Sequence, residues 1–177
     1  MGIKQDVFGL EQVYRLQLEG NWSTRGEVWT SPSPFAAVGS TKGYFGGGFV
    51  PSTNSSKVDR IDYTNDTTTA STKGPLSAGR RYTGATGNQS FGYVGGGQTP
   101  GVISTVDRVD YASDTTTASP KGPLGAIRYR HAATGNASFG YFAGGSPGTV
   151  SKVERVDYSN DTATASPKGP LSVARIR

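Results

Sequence analysis

Four short blocks decide the fold: Gly92-Tyr-Val-Gly-Gly-Gly97, Val106-Asp-Arg-Val-Asp-Tyr111, Asp114-Thr-Thr-Thr-Ala118 and Lys121-Gly-Pro-Leu124. The same blocks occur three times, in the same order. Their counterparts begin at Gly43 and Gly140, at Val58 and Val153, at Asp66 and Asp161, and at Lys73 and Lys168. Tyr63 and Tyr111 are 48 positions apart, and Tyr111 and Tyr158 are 47 apart. The chain is therefore an internal repeat with a period of about 48 residues.

Each repeat predicts about four strands. The first lies near 79–86 and 127–134, with 35–38 as its counterpart in the first unit, and it ends at a Gly-Asn turn that tolerates positive φ. The second carries Phe-Gly-Tyr and runs into the glycine cluster, and the third is Val-Asp-Arg-Val-Asp-Tyr. The fourth is Thr-rich and stops at Gly-Pro, because proline cannot donate to a sheet.

Four antiparallel strands in such a unit are typical of a propeller blade, and the motifs resemble the kelch repeat. The matching residues are Arg80 and Arg128, the doublets Gly96-Gly97 and Gly144-Gly145, and Tyr63, Tyr111 and Tyr158. The family's Trp after the turn is replaced by Thr or Ala. The resemblance covers about 34–177 and implies an all-β fold of four-stranded antiparallel blades, at about 34–73, 80–121 and 128–168.

Two features inside the blades leave alternatives open. The glycines either let strands approach closely near an axis or simply make turns. Val58, Arg60 and Asp62 share one face of a regular strand, and Asp59, Ile61 and Tyr63 share the other. Arg60 and Asp62 pair either with each other or with a neighbouring blade, and we expect a repeated structural ion pair.

The number of blades does not close a ring. The segment 170–177 matches 123–130, so an incomplete fourth unit begins at 170. Propellers have about four to eight blades. Three explanations are open: more polypeptide, a ring completed between chains such as a six-bladed dimer, or an open or threefold β assembly. An uncovered edge strand invites association, so we expect either more of the polypeptide or another copy of the chain to cover this edge. Covering by another copy predicts a homo-oligomer, either a dimer or a trimer.

Residues 1–33 differ in sequence from the repeats, and we expect them to form an N-terminal segment that anchors the protein to a particle. Asp6 predicts a cap for a short helical turn over 7–12, alternation around Tyr14 predicts a strand, and 31–34 is a Ser-Pro linker. Such a leader either caps the repeat array or docks as an anchor on another protein. Because so short a segment lacks a core of its own, we expect its aromatic side chains to be buried against a partner or against the same segment of other copies. The anchor candidates are Tyr14, Leu16, Leu18, Trp22 and Trp29.

The leader and the repeat style resemble virion structural proteins of marine and cyanobacterial tailed phages, as in Thr117-Ala-Ser-Pro-Lys-Gly-Pro-Leu124. This resemblance implies a non-enzymatic tail fibre, baseplate or capsid appendage, assembled in the host cytoplasm and located in the virion. Its partners would be other virion proteins and a host surface polysaccharide or receptor. The alternative is a soluble kelch-type module that binds a protein or glycan.

Composition excludes several classes. The 177 residues include 26 glycines and 10 prolines but no cysteine, which removes disulfides, thiolate zinc sites and cysteine nucleophiles. No apolar run is long enough to span a bilayer, and we expect no membrane insertion. The net charge of +5 comes from single, regularly spaced basic residues, so we expect no nucleic-acid binding. The only histidine, His131, stands where Thr83 stands in the previous repeat and is expected to be packed or solvated rather than a ligand.

We expect no catalytic residue, metal or cofactor. The copper chemistry of some kelch propellers needs a cysteine and a second histidine. Carboxylate pairs of a glycosidase could be drawn from the repeated acids, but Asp59, Asp107 and Glu154 recur at one blade position, which favours a scaffold role. The loops after the glycine clusters vary most, at 49–56, 98–104 and 146–151, as binding loops do; a spacer role is equally open. The binding candidates are Phe49, Asn54, Gln98, Val102, Ser146 and Val150.

Overall fold

The computed structural model describes residues 33–35 and 41–176, and this part of the chain is all β apart from 3-10 turns at Tyr111–Ser113 and Tyr158–Asn160. In chain order the strands are β1 (Ser33–Phe35), β2 (Lys42–Gly46), β3 (Phe49–Val50), β4 (Thr53–Asn54), β5 (Val58–Asp62), β6 (Ser71–Lys73), β7 (Gly84–Gly87), β8 (Phe91–Gly95), β9 (Val106–Asp110), β10 (Ser119–Lys121), β11 (Ala132–Gly135), β12 (Phe139–Ala143), β13 (Val153–Asp157) and β14 (Ser166–Lys168). The helical turn expected over 7–12 and the strand around Tyr14 lie outside the described residues.

Three four-stranded antiparallel sheets follow one another along the chain. Their strand orders are β1-β2-β5-β6, β7-β8-β9-β10 and β11-β12-β13-β14, while β3 and β4 form a separate hairpin. No sheet closes on itself within the described part of the chain. The sequence prediction of an all-β fold with four antiparallel strands per repeat is therefore confirmed.

The register of the two inner strands is the same in every sheet. Tyr44 lies opposite Arg60 in the first, Tyr93 opposite Arg108 in the second, and Tyr141 opposite Arg155 in the third. Directly opposed residues project to the same face. Each sheet therefore carries a tyrosine and an arginine side by side.

The prediction for the fourth strand was wrong in its extent. The threonine runs after Asp66 and Asp114 lie in turns. The fourth strands are instead the tripeptides that follow, β6, β10 and β14, and the last two have the sequence Ser-Pro-Lys. The hydroxyl of Thr116 donates to the carbonyl of Ser113 at 2.8 Å, and such local bonds compete with strand pairing. Pro120 lies in an outermost strand, where its missing N–H leaves no gap in the sheet.

Two of the first strands are also shorter than predicted, at 84–87 and 132–135. β1 includes Ser33 and Pro34, which the sequence assigned to a linker, while 36–38 of the strand predicted over 35–38 lie outside the described residues. Tyr82 and Arg130 have φ angles of +57° and +53°, which no regular strand contains. These left-handed residues stop the first strand from extending back toward Arg80 and Arg128.

Two cores hold the sheets together, one at each junction. The first consists of Tyr44, Val58, Leu76, Val94, Val109 and Ala118, and the second of Tyr93, Val106, Leu124, Phe142, Val156 and Ala165. The second set is the first moved on by one repeat. Val106 and Val109 of one strand belong to opposite junctions, which explains why the third strand is apolar on both faces and does not alternate.

The glycine doublets fulfil both roles left open by the sequence. Gly96 and Gly97 have φ angles of +60° and +103°, which favour glycine. The amide of Gly97 donates to the carbonyl of Arg128 at 2.8 Å, and a Cβ added at Gly96 would lie 2.5 Å from that oxygen. The turn thus brings the backbone of the next repeat against the doublet.

Candidate functional site

In the second and third repeats, a carboxylate in the turn after the third strand joins the sheet to the one before it. Asp114 accepts a hydrogen bond from the Tyr44 hydroxyl at 3.1 Å and from Arg60 Nη1 at 2.6 Å, and Lys73 Nζ lies 3.5 Å away. Asp62 pairs instead with Lys42 of its own sheet, at 3.4 Å. Of the two pairings that the sequence left open for Arg60, the structure selects the one with the neighbouring repeat.

The next junction repeats this arrangement. Asp161 accepts from the Tyr93 hydroxyl at 3.0 Å and from Arg108 Nη1 at 2.8 Å, with Lys121 Nζ at 3.7 Å. We call the tyrosine, arginine and lysine of one sheet, together with the turn aspartate of the next, a junction site. Each carboxylate therefore accepts one hydrogen bond from a tyrosine and one charge-assisted bond from an arginine, and a lysine ammonium group forms an ion pair with it.

Protonation at the junction sites follows from these contacts. Burial opposes the charge on Asp114, but hydrogen bonds and charges from Tyr44, Arg60 and Lys73 outweigh it and lower the pKa of the carboxyl group. Burial and the neighbouring carboxylate raise the pKa of Tyr44 to about 12. The first junction site therefore holds an ionised Asp114 and a neutral Tyr44 at neutral pH.

A second set of ion pairs lies inside the sheets. Arg80 Nη2 bonds Asp107 with both side chains fully buried, and Ser77 donates to the same carboxylate through its amide and its hydroxyl, each at 2.8 Å. In the next repeat Arg128 Nη2 lies 2.7 Å from Glu154 Oε2. Of the three acids for which the sequence favoured a scaffold role, Asp107 and Glu154 thus form buried ion pairs, whereas Asp59 accepts a hydrogen bond from the Thr72 hydroxyl at 3.1 Å.

The single histidine is a core residue. His131 is 1% exposed, its ring centroid lies 5.8 Å from that of Phe142, and a Cβ added at Gly84 would lie 2.7 Å from the imidazole. Of the two environments expected for it, the structure gives the packed one.

The predicted binding loops are tied to the scaffold at fixed points. Phe49 lies opposite Asn54 in the β3–β4 hairpin, and Gln98 forms bridges with both Arg81 and Val102. Ser146 forms the corresponding bridge with Tyr129, and the amide of Val150 donates to the carbonyl of Gly145 at 3.3 Å. Each loop is thus bonded to the segment before a first strand or to its own glycine doublet.

Those segments carry a row of aromatic and guanidinium groups that the sequence analysis missed. The row consists, in spatial order, of Phe49, Arg81, Tyr82, Arg130 and Tyr129. The guanidinium carbon of Arg81 lies 4.6 Å from the ring centroid of Phe49 and 5.2 Å from that of Tyr82. The guanidinium carbon of Arg130 lies 4.7 Å from the ring centroid of Tyr82 and 5.6 Å from that of Tyr129. We call it the aromatic–arginine ladder. It spans all three repeats and includes one of the predicted candidates, Phe49.

The backbone sets the geometry of the ladder. Tyr82 and Arg130 both adopt the left-handed conformation, and the amide of Arg130 donates to the carbonyl of Tyr82 at 2.9 Å. A left-handed non-glycine residue costs about 1–2 kcal/mol, and such strain collects at functional positions. The sequence did contain one sign of the ladder. When the repeats are aligned, Arg81-Tyr82 stands at the positions of Tyr129-Arg130, so the same two residue types occur in opposite order.

The ladder is accessible and positively charged. Phe49 is 40% exposed, Arg130 is exposed, and the other three members are half-buried. Among the described residues, the ion pairs formed by arginine do not include Arg81 or Arg130. Two such guanidinium groups beside aromatic faces can bind carboxylate or sulfate groups carried on a sugar ring.

The described residues contain neither a metal-binding cluster nor a membrane-spanning helix. No three His, Asp or Glu side chains in the described ranges are arranged to hold a metal ion. Nor does any helix in 33–35 or 41–176 have the length and apolarity needed to cross a membrane. The anchor candidates Tyr14, Leu16, Leu18, Trp22 and Trp29 lie outside the described residues.

Comparisons with known proteins add no family. No protein-family model matches the chain. A search of curated protein sequences likewise gave no significant match.

Proposed function

We propose that the protein is a non-enzymatic structural protein of a virion, a tail fibre or another appendage, in which kelch-like propeller blades form a rigid array. The observation that carries the structural role is the junction site, which recurs with the same residue types at both sheet junctions. Three successive four-stranded antiparallel sheets are compatible with propeller blades. The assignment to a tailed phage rests on the resemblance of the leader and the repeats.

The repeated ionisable side chains support a structural rather than a catalytic role. Asp107, Glu154, Asp114 and Asp161 each bond a basic side chain, and all four are at most 8% exposed. A general acid or base has to reach a substrate proton. Buried, paired carboxylates at repeated positions are instead suited to fixing one sheet relative to the next.

The contact with the host is proposed to lie at the aromatic–arginine ladder. Its members come from three repeats, so a rigid array would hold them at fixed spacing. Such a row fits an acidic polysaccharide, whose anionic groups meet the two guanidinium groups while its sugar rings pack against the exposed part of Phe49.

Residues 1–33 are proposed to attach the array to the particle. A direct test compares full-length protein with a variant lacking 2–33 during infection, measuring each in purified particles. The expected result is full-length protein in the particles and truncated protein left in the unassembled fraction. Equal incorporation of both would contradict the anchor, provided that the truncated protein retains the circular dichroism of its β repeats.

A soluble kelch-type glycan-binding module is the second candidate, because the ladder supports glycan binding in either setting. The two functions differ in location. Full-length protein that stays outside purified particles while binding an acidic polysaccharide would favour the second candidate.

A further inference from the structure

We propose that copies of this chain associate head to tail, with the third sheet of one copy packing on the first sheet of another and building the junction that the chain already contains twice. The partner is a second copy of the same chain. The inference rests on the two outer faces of the array and not on the role in a virion.

The third sheet presents the donor half of a junction site. Tyr141, Arg155 and Lys168 occupy the positions that Tyr93, Arg108 and Lys121 have in the second sheet. Tyr141 and Arg155 are half-buried and Lys168 is exposed, whereas Tyr93 is fully buried.

The donor arginine is already held in its binding position. The guanidinium carbon of Arg155 lies 4.2 Å from the centroid of Phe139, and that of Arg108, which binds Asp161, lies 4.3 Å from Phe91. Within the described residues, the third sheet thus arranges its arginine as the second does, although no turn aspartate of a further sheet binds it there. A preorganised donor loses less conformational freedom on binding.

The first sheet presents the acceptor half. Asp66 stands at the turn position of Asp114 and Asp161, and it is exposed where they are 8% and 7% exposed. Tyr63 stands at the position of Tyr111 and Tyr158, and it is 51% exposed. Both counterparts stack on the tyrosine of the preceding sheet, with centroids 4.8 and 4.5 Å apart.

The apolar residues divide in the same way. Each internal core combines three residues from one repeat with three from the next. The third sheet and its following segment carry the first half, Tyr141, Val153 and Leu171, and the first sheet carries the second half, Phe45, Ile61 and Ala70. All six are half-buried, although most of their counterparts are at most 2% exposed. Joining the two faces would complete a third core.

The charges of the two faces are complementary as well. The face of the third sheet carries Arg155 and Lys168, and the face of the first sheet carries Asp66. Contact between two identical faces would therefore bring like charges together. The contact is heterologous, and it forms a ring if the rotation between copies closes and a filament if it does not.

The test uses charge exchange on the full 177-residue chain, with mass measured by light scattering during size-exclusion chromatography. Wild type is expected above the monomer mass. Asp66→Arg and Arg155→Glu, each alone, face a like charge across the contact and should associate about thirtyfold or more weakly. Mixing the two variants should restore association, because the introduced arginine then meets the introduced glutamate at one contact and the native Asp66 meets the native Arg155 at the next.

Controls keep a negative result interpretable. Gln89→Arg adds charge at an exposed hairpin tip of the second sheet and should associate like wild type. Tyr63→Ala removes a ring that is half exposed in the single chain and should weaken association with the circular dichroism spectrum unchanged. Monomeric wild type at high concentration would overturn the proposal. So would variants whose association is not restored by mixing, or a control that dissociates as they do.

Discussion

Tyr93 of the second sheet stacks on Tyr158 of the third, with ring centroids 4.5 Å apart and planes 10° from parallel. The Tyr93 hydroxyl also donates to Asp161, three residues beyond Tyr158, at 3.0 Å. One tyrosine thus contributes to both the apolar and the charged part of the junction. One repeat earlier, Tyr44 stacks on Tyr111 and donates to Asp114 in the same way. The contacts between sheets therefore repeat along the chain as the sheets themselves do.

The buried ion pairs predict a sharp contrast between two aspartates at the same repeat position. Asp107→Asn should lower the free energy of unfolding by about 3 kcal/mol or more, because it leaves the buried Arg80 guanidinium without a charged partner. Asp59→Asn should cost about 0.5 kcal/mol, since Asp59 receives a bond from the exposed Thr72 hydroxyl. Urea unfolding measures both. Equal effects would contradict a structural role for the Arg80–Asp107 pair.

The junction carboxylate predicts a loss of stability in acid. The pKa of Asp114 is lowered in the folded state, so its contribution is complete above the ordinary aspartate pKa of about 3.9 and is lost as the pH falls through the folded value. Asp114→Asn should be less stable at neutral pH and should lose less stability than wild type between about pH 4 and pH 2. A variant with the same acid dependence as wild type would exclude Asp114 as a source of that loss.

The glycine doublets predict position-dependent effects of alanine. Gly96→Ala places a Cβ 2.5 Å from the Arg128 carbonyl at a φ of +60°, and it should destabilise by about 2 kcal/mol or more. Gly101→Ala is the matched control, because nothing lies within 4 Å of its added Cβ. It should leave the melting temperature nearly unchanged. If both variants melt together, close approach of the next repeat is not what requires glycine at 96.

The ladder predicts a binding defect without a folding defect. Arg81→Ala and Arg130→Ala, which remove guanidinium groups stacked on Phe49, Tyr82 and Tyr129, should together weaken binding to a carboxylated or sulfated polysaccharide about tenfold or more at moderate salt. Lys57→Ala combined with Arg175→Ala removes the same charge at two exposed positions elsewhere. Affinity electrophoresis with the immobilised polysaccharide compares the two pairs. Equal losses would show that net charge, rather than the ladder, governs binding.

The repeat made the sheets predictable and left the contacts between them open. The turn signals at Asn88 and Asn136 were local, and each lies in the hairpin that joins the first two strands of a sheet. The partner of Arg60 was not predictable, because Asp114 is distant in sequence and meets it only when two sheets stack. The threonine runs were predicted as strands because threonine favours strands, but hydroxyl bonds to turn carbonyls hold them in turns.

Of the aromatic–arginine ladder, the sequence predicted only the residue at one end, Phe49. Phe49 was found because its loop varies between repeats. Arg81, Tyr82, Tyr129 and Arg130 lie in segments predicted as plain strand, where two left-handed residues change the direction of the chain. Nothing in the local pattern of a single sequence reports a left-handed tyrosine, so the row of stacked groups emerged only with the three repeats in place.

The most direct measurement of the proposed function is the amount of the tryptic peptide 156–168 in purified phage particles, relative to the unassembled fraction of the same lysate. A virion structural protein predicts the peptide in the particles at a fixed ratio to a major particle protein, through successive density gradients. A peptide confined to the unassembled fraction, with the particles intact and infectious, would contradict the proposal.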